Sequence, residues 1–321
     1  MGSGAFGIPI LERIARSDKL CLIGAATQPD KAAGRKRLLT PTPLGKWADE
    51  HEISCERVVN VNDDAFLERI EALKPDMIVV VSFGQILKEP LLKSSPLGCF
   101  NVHASLLPKH RGASPVRSAI LSGDKHMGVS FMQMEKGLDT GPVYQMFGID
   151  VAPFINAEEI ENELANLASE KIEDCICGIA DGKLTPEPQD HQRATMSHKI
   201  HKDDGAVDWS EDAAMLERKV RAYHKWPTMS FLVPVKAKNK IIFAKITAAG
   251  STSWQPASGP VPGKFISYMN NKMMVSCGHG SLIIERILPE GKKEMAIADF
   301  LNGHQLRIGD IMLNGPKGPG K

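Results

Sequence analysis

The chain has 321 residues, with 39 Lys and Arg against 38 Asp and Glu, so a formal net charge of +1 selects no strongly acidic or basic partner. A neutral sum can still hide a basic face. The length fits two domains, and an apolar fraction of 42% leaves enough side chains for a sizeable core.

Through the first half, short β-branched runs alternate with amphipathic patterns. In chain order these predict a helix over Ile8–Arg16, a strand over Leu20–Ala26, and helices over Pro43–His51 and Asp63–Leu73. Strands over Met77–Phe83 and Cys99–His103 follow, then a helix over Pro115–Ser122 and strands over Val129–Met134 and Val143–Val151. Ser114-Pro115 makes a good helix start, a capping hydroxyl followed by proline in the first turn. Such alternation implies α/β architecture: a Rossmann-like, mostly parallel sheet with helices on both faces. Ligands of these sheets bind beyond the carboxyl ends of the strands.

Asn156–Gly182 reads as one long helix, opened by Asn156 and Glu159 in a capping-box-like pair and ended by Gly182. Thr185-Pro186-Glu187-Pro188-Gln189 then begins a polar stretch reaching Asp204, which reads as an interdomain linker. Beyond it, one helix (Ala213–His224) precedes short β-like runs at Ser230–Val235, Ile241–Ala248, Gly263–Tyr268, Lys272–Cys277 and Leu282–Leu288. Several short strands with one helix predict a small β-barrel of the oligonucleotide-binding (OB-like) type. The expected division is a catalytic domain over 1–183, a linker over 184–204, a C-terminal domain over 205–313 and a disordered tail, Asn314–Lys321.

Six cysteines (Cys21, Cys55, Cys99, Cys175, Cys177, Cys277) form no C-x-x-C pair, which reads as reduced thiols in a core rather than a disulfide framework. Cys175-x-Cys177 falls inside the long helical pattern without partner ligands, so no metal is expected. No apolar run is long enough to span a bilayer, and no secretory leader is expected. A soluble, cytoplasmic monomer is the expectation.

Chemistry concentrates at Asn101-Val102-His103-Ala104-Ser105-Leu106-Leu107-Pro108. Residues two apart in a strand point the same way, so Asn101 and His103 project together from a strand end. Both can donate hydrogen bonds to a carbonyl oxygen, and both bonds strengthen as that oxygen becomes an oxyanion. Gly137-Leu138-Asp139-Thr140-Gly141 offers a carboxylate in a glycine-flanked turn, although an ordinary Asx turn fits that spacing equally well. Gly2-Ser3-Gly4-Ala5-Phe6-Gly7 matches the dinucleotide fingerprint in form, but that motif needs a preceding strand and only Met1 stands there. Neither a P-loop lysine motif nor H-E-x-x-H occurs. The loop Thr27–Arg37 clusters Lys31, Arg35, Lys36 and Arg37 around Gly34, a solvated loop or a clamp on a phosphate backbone. A run of basic residues after the linker, among them Arg218, Lys219, Arg221, Lys225, Lys236 and Lys238, adds weight to a nucleic-acid reading only in combination with the barrel.

Taken together, Thr27–Arg35 with Pro41-Thr42-Pro43, Asn101–Ala113, Gly137–Gly141 and Arg221-Ala222-Tyr223 before Trp226-Pro227 resemble the methionyl-tRNA formyltransferases. The resemblance runs along nearly the whole chain. The Asn-x-His and Ser-Leu-Leu-Pro element is common to formyltransferases that use 10-formyltetrahydrofolate, so it specifies the donor more than the acceptor. By resemblance, Asn101, His103 and Asp139 form the catalytic trio, and Ser105, Leu106, Leu107 and Pro108 line the folate site. Lys31, Arg35, Lys36 and Arg37 would contact the acceptor end of initiator methionyl-tRNA. Asp139 would stabilise positive charge on His103 and relay the amine proton. Family members carry an apolar strand before the segment matching Gly2–Phe6, so the first strand is expected to be missing and the true start to lie upstream. Such a loss would leave neighbouring strands unpaired and a core face open. Two other readings remain: a folate-dependent formyltransferase acting on a sugar nucleotide or small amine, and a non-catalytic RNA-binding protein on the same scaffold.

Overall fold

The computed structural model describes residues 1–33, 38–235 and 239–317. The chain forms two compact units, one of residues 1–116, 125–151 and 159–198, the other of 117–124, 152–158 and 199–321.

The first unit begins with α1 (Ile8–Ala15), β1 (Ala25–Thr27), a hairpin of β2 (Lys31–Ala33) and β3 (Leu38–Thr40), α2 (Pro43–Glu50) and β4 (Cys55–Arg57). It continues through α3 (Asp64–Leu73), β5 (Ile78–Val80), α4 (Glu89–Leu92), β6 (Cys99–His103), β7 (Arg111–Gly112), β8 (His126–Gln133) and β9 (Val143–Asp150), while α5 (Pro115–Ser122), between β7 and β8, belongs from residue 117 onward to the second unit. The long helix α6 (Ala157–Ala180) and β10 (Met196–Ser197) follow. Helix starts are chemically explicit. Thr42 accepts from the Gly45 N–H ahead of Pro43, and Asp63 accepts from the Phe66 N–H at the head of α3.

Four strands carry the site, in the order β5-β6-β8-β9. β5 and β6 are parallel, whereas β8 runs antiparallel to both β6 and β9. The parallel core expected from the sequence therefore carries an antiparallel flank. Alternation along β6 splits its side chains between two faces. Cys99 joins Ile78, Val80 and the Phe66 and Ile70 side chains of α3 in one apolar cluster. Phe100 meets Phe131 on the other face, and Phe131 meets Phe147, over which the Lys171 ammonium of α6 lies at 5.7 Å from the ring centroid. Helices thus cover both faces, as expected.

β1 is shorter than the strand predicted over Leu20–Ala26. Only Ala25–Thr27 forms a ladder, parallel to Cys55–Arg57 of β4. A strand exists only where another backbone supplies its hydrogen bonds, and Leu20–Gly24 has no strand assignment. Between this segment and β5, Met1 and Gly2 run parallel to Val79–Val81: the Met1 ammonium donates to the Val79 carbonyl at 2.6 Å, the Val81 N–H to Met1, and the Gly2 N–H to Ala26. Beside them lies a cavity of about 530 Å³, lined by Ile10, Leu22, Phe66, Val79 and Ile176 among others. This cavity stands apart from Asn101, His103 and Asp139.

The proline-punctuated stretch is no free linker. Val143 and Glu187 exchange both main-chain hydrogen bonds, and β10 pairs in parallel with β7. Residues up to His198 therefore belong to the first unit.

The second unit contains α7 (Ala213–Ala222), β11 (Ser230–Val235), β12 (Lys240–Thr252), β13 (Phe265–Met269), β14 (Lys272–Ser276), β15 (Ser281–Pro289), β16 (Met295–Ala296) and α8 (Ile297–His304). Its antiparallel sheet follows β11-β12-β15-β14-β13, with β16 on β15. Residues near the C-terminus close the gap between the two outer strands. Leu313 and Leu232 exchange main-chain bonds, and Met312 N–H donates to Gly263. The result is the small barrel expected from the sequence, in which Trp209 is fully buried with its ring edge-on to Phe231. Part of the expected disordered tail is held in place: Asn314 accepts from the Trp209 N–H, and Gly315 N–H donates to Val207. The tail's last four residues, 318–321, lie outside the described residues. Among the described residues, no helix is long and apolar enough to cross a membrane.

Candidate active site

Asn101 and His103 stand at the carboxyl end of β6, paired in register with Met132 and Ser130 of β8. Both are buried, at 9% and 6% exposure. The chain then turns through Ser105–Pro108, where the Leu107–Pro108 bond is cis. Ser130, fully buried on β8, pins this turn by accepting from the Leu107 N–H at 3.0 Å and donating to the Ser105 carbonyl at 2.7 Å.

Asp139 reaches the same point from the turn between β8 and β9. Its Oδ2 accepts from the Gly112 N–H at 2.8 Å and lies 3.6 Å from His103 Nδ1. Asn101 Nδ2 approaches Oδ1 at 3.5 Å. The three residues singled out from the sequence, up to 38 positions apart, are thus brought together. Both donor contacts are long for hydrogen bonds, so the amide and the imidazole converge on a carboxylate without being consumed by it. His103 Nε2 lies 3.0 Å from the His110 carbonyl. That carbonyl can only accept, so Nε2 carries a hydrogen. The other ring nitrogen, Nδ1, faces the Asp139 carboxylate.

A further layer holds this trio, and sequence reasoning missed it. The buried Gln189 amide donates to the Asp139 carbonyl at 2.9 Å and to the Gly141 carbonyl at 2.7 Å. Its oxygen accepts from Arg111 Nε and Nη2 at 3.1 and 2.6 Å. Arg111 also meets His191 Nδ1 at 3.2 Å. Gln189 sat in a stretch whose composition reads as linker, so no local signal marked it. Ser130 lay within a predicted strand and gave no cue either.

The Ser-Leu-Leu-Pro turn is only partly available to a ligand. Ser105 donates its hydroxyl to the Lys109 carbonyl, and Leu107 packs into a cluster with Met132 and Val143. Leu106 and Pro108 are half-buried and present the accessible surface of the turn.

The basic loop is described only at its edges. Lys31, on β2, is exposed and donates to Gln28 Oε1 at 2.9 Å. Arg35, Lys36 and Arg37 lie outside the described residues. Gln28 in turn donates to the Phe83 carbonyl just past β5, so the hairpin base is tied to the edge of the sheet's carboxyl end. Next to the loop, Leu38 and Leu39 are exposed at 64% and 76%. In the second unit several cations have intramolecular partners: Lys219 with Glu211, Arg221 with Glu217 and Lys225 with Glu158. Lys236 and Lys238 lie outside the described residues.

Among the described residues, no group of three or more His, Cys, Asp or Glu could hold a metal ion. Burial pushes the Cys99, Cys175 and Cys277 thiols up to about 12, so they are poor nucleophiles. What the site brings together is an amide, an imidazole and a carboxylate, groups able to donate to an oxygen and to accept a proton. Those are the requirements of acyl transfer to an amine.

Comparison with known proteins shows that the class is a group transferase. The chain belongs to the formyltransferase family, matching "Formyl transferase" over residues 2–176 and "Formyl transferase, C-terminal domain" over residues 199–305. Among its relatives is the methionyl-tRNA formyltransferase of Trichlorobacter lovleyi, 34% identical over 314 residues that span 98% of this chain and 96% of the relative. The methionyl-tRNA formyltransferase of Methylococcus capsulatus is 36% identical over 306 residues, spanning 95% and 96%. Among solved structures, the N-formyltransferase from Helicobacter canadensis in complex with folinic acid and dTDP-3-aminofucose has a TM-score of 0.60 at 16% identity, covering 88% of this chain and 96% of that one. That last likeness is one of fold alone.

Proposed function

We propose that this protein transfers the formyl group of 10-formyltetrahydrofolate to the α-amino group of methionyl-initiator tRNA, in the cytoplasm. The observation that carries the reading is the convergence of Asn101, His103 and Asp139 at one strand end. Likeness to methionyl-tRNA formyltransferases across both units supports the tRNA acceptor.

The geometry supports the following chemistry. The free α-amine attacks the formyl carbon, forming a C–N bond as the carbonyl π electrons move onto oxygen. Asn101 Nδ2 and His103 Nδ1 converge from one side and hold that developing oxyanion. An α-amino group titrates near ~8 as a free amine, and an adjacent ester lowers that, so modest base assistance suffices. Asp139, fixed by the Gly112 N–H, takes the proton from the attacking nitrogen and returns it to the departing N10 of the folate. Collapse of the tetrahedral species breaks the bond from carbon to N10 and leaves formylmethionyl-tRNA and tetrahydrofolate. The accessible surface of Leu106 and Pro108, beside the β6 end, is assigned to the donor, and Lys31 with the loop after it to the tRNA acceptor end.

The deciding experiment is a formylation assay with charged initiator tRNA beside free small amines and amino-sugar nucleotides. Folate-dependent formylation of the tRNA alone supports the reading. Preference for a sugar nucleotide would reassign the acceptor, and tRNA binding without turnover would make the chain an RNA-binding protein on this scaffold.

A further inference from the structure

The trio depends on a turn that a side chain from outside it helps to hold. Asp139 sits at φ +52°, in the left-handed region that non-glycine residues populate sparsely. Its main chain is gripped by Gln189, which donates to carbonyls on either side of Thr140, at Asp139 and Gly141. The amide's orientation is unambiguous, because carbonyls only accept and the Arg111 guanidinium only donates. All four hydrogen-bonding positions of Gln189 are engaged.

What lies at the other end of this bridge is specific. Arg111 is buried at 5% exposure and stands between His110, whose carbonyl meets His103 Nε2, and Gly112, whose N–H meets Asp139 Oδ2. Gln189 therefore ties the turn bearing Asp139 to the strand that fixes both His103 and the Asp139 carboxylate. Its side chain is not needed to anchor its own segment. Main-chain bonds between Glu187 and Val143 secure it on one side, and Arg111 N–H to Thr195 on the other.

We propose that Gln189, with Arg111, is a positioning residue for formyl transfer, acting through Asp139. This rests on the role given above to Asp139. Gln189→Glu keeps length and the bond to Arg111 but turns an acceptor toward two carbonyls, and Gln189→Ala removes the bridge. Either substitution is expected to lower kcat at least tenfold while KM for both substrates stays within about twofold, because the donor and acceptor surfaces are untouched. Combined with Asp139→Asn, Gln189→Ala should cost less than a further twofold, since the group it positions is already disabled. In ¹⁵N spectra of histidine-labelled protein, the His103 Nδ1 resonance should move in Gln189→Ala in the direction seen for Asp139→Asn.

A wild-type kcat in Gln189→Glu, or a full multiplicative loss in the double variant, overturns the proposal. If Gln189→Ala fails to fold, Gln189→Glu decides. If Asp139→Asn itself turns over normally, the catalytic role of Asp139 falls, and the His103 resonance then decides positioning: an unmoved signal in both Gln189 variants sinks it.

Discussion

Replacing Asn101 should separate catalysis from folding. The residue is 9% exposed at the end of a strand whose ladder, to Val80 and Met132, uses main chain only. Among the described residues, its side-chain hydrogen-bond contact is the 3.5 Å approach to Asp139 Oδ1, at the outer limit of such a bond. Asp139 keeps its 2.8 Å bond from Gly112 when Asn101 is truncated. Asn101→Ala should therefore cost about 1 kcal/mol of stability or less, a Tm decrease of roughly 2–4 °C. Removing one preorganised donor to an oxyanion typically costs about 10²–10³ in kcat, roughly 3–4 kcal/mol. Asn101→Asp sharpens the test. It places a second carboxylate about as near Asp139 as the amide was, worth on the order of 5 kcal/mol of repulsion at an effective dielectric constant near ~20. Proton uptake relieves that repulsion, so the Tm of Asn101→Asp should rise as pH falls from about 8 to about 5, while turnover stays no better than that of Asn101→Ala. Single-turnover formylation of charged initiator tRNA, with thermal melts on the same samples, measures both quantities. A kcat for Asn101→Ala within about threefold of wild type, or turnover restored by the aspartate, would refute the oxyanion argument.

Three other outcomes are expected. Ser130→Ala orphans the buried Leu107 N–H and Ser105 carbonyl at roughly 1–3 kcal/mol each, so urea unfolding should show the loss and KM for the folate donor should rise; an unchanged midpoint contradicts the pinning role. Gly112 has φ +119°, and a Cβ there would sit 2.4 Å from the Ser197 carbonyl, so Gly112→Ala should part β7 from β10 and lower Tm and turnover together. Cys99, Cys175 and Cys277 are raised from 9.0 to about 12 by burial. Unfolded thiols release protons first as pH rises above about 9, so the stabilisation is complete below that pH and is lost between about 9 and 12, at about 1.4 kcal/mol per thiol per unit. Alkaline melts should fall accordingly, and at pH 8 iodoacetamide should label exposed Cys21 while sparing these three.

Much of the fold was legible because local periodicity reports burial. The helix over Asn156–Gly182 matches α6 (Ala157–Ala180) closely, and Cys99–His103 is a strand with the expected bounds. Leu20–Ala26 shows where the signal ends. Its apolar residues read as a strand, yet pairing is confined to Ala25–Thr27, since a ladder depends on a neighbour as well as on side chains. The direction of β8 was equally illegible, as alternation is the same for parallel and antiparallel neighbours.

The sequence by itself determined which chemical groups this protein brings to its site. Asn101 and His103 share a strand face through a two-residue period, and the glycine-flanked turn marked Asp139 as a candidate. Only the tertiary structure decided that Asp139 lies 3.6 Å from His103, that Gln189 reaches back 78 positions to Arg111, and that residues 310–313 close the C-terminal barrel. Those contacts join segments distant along the chain. Their formation depends on the folding of every element between them, which no local pattern records.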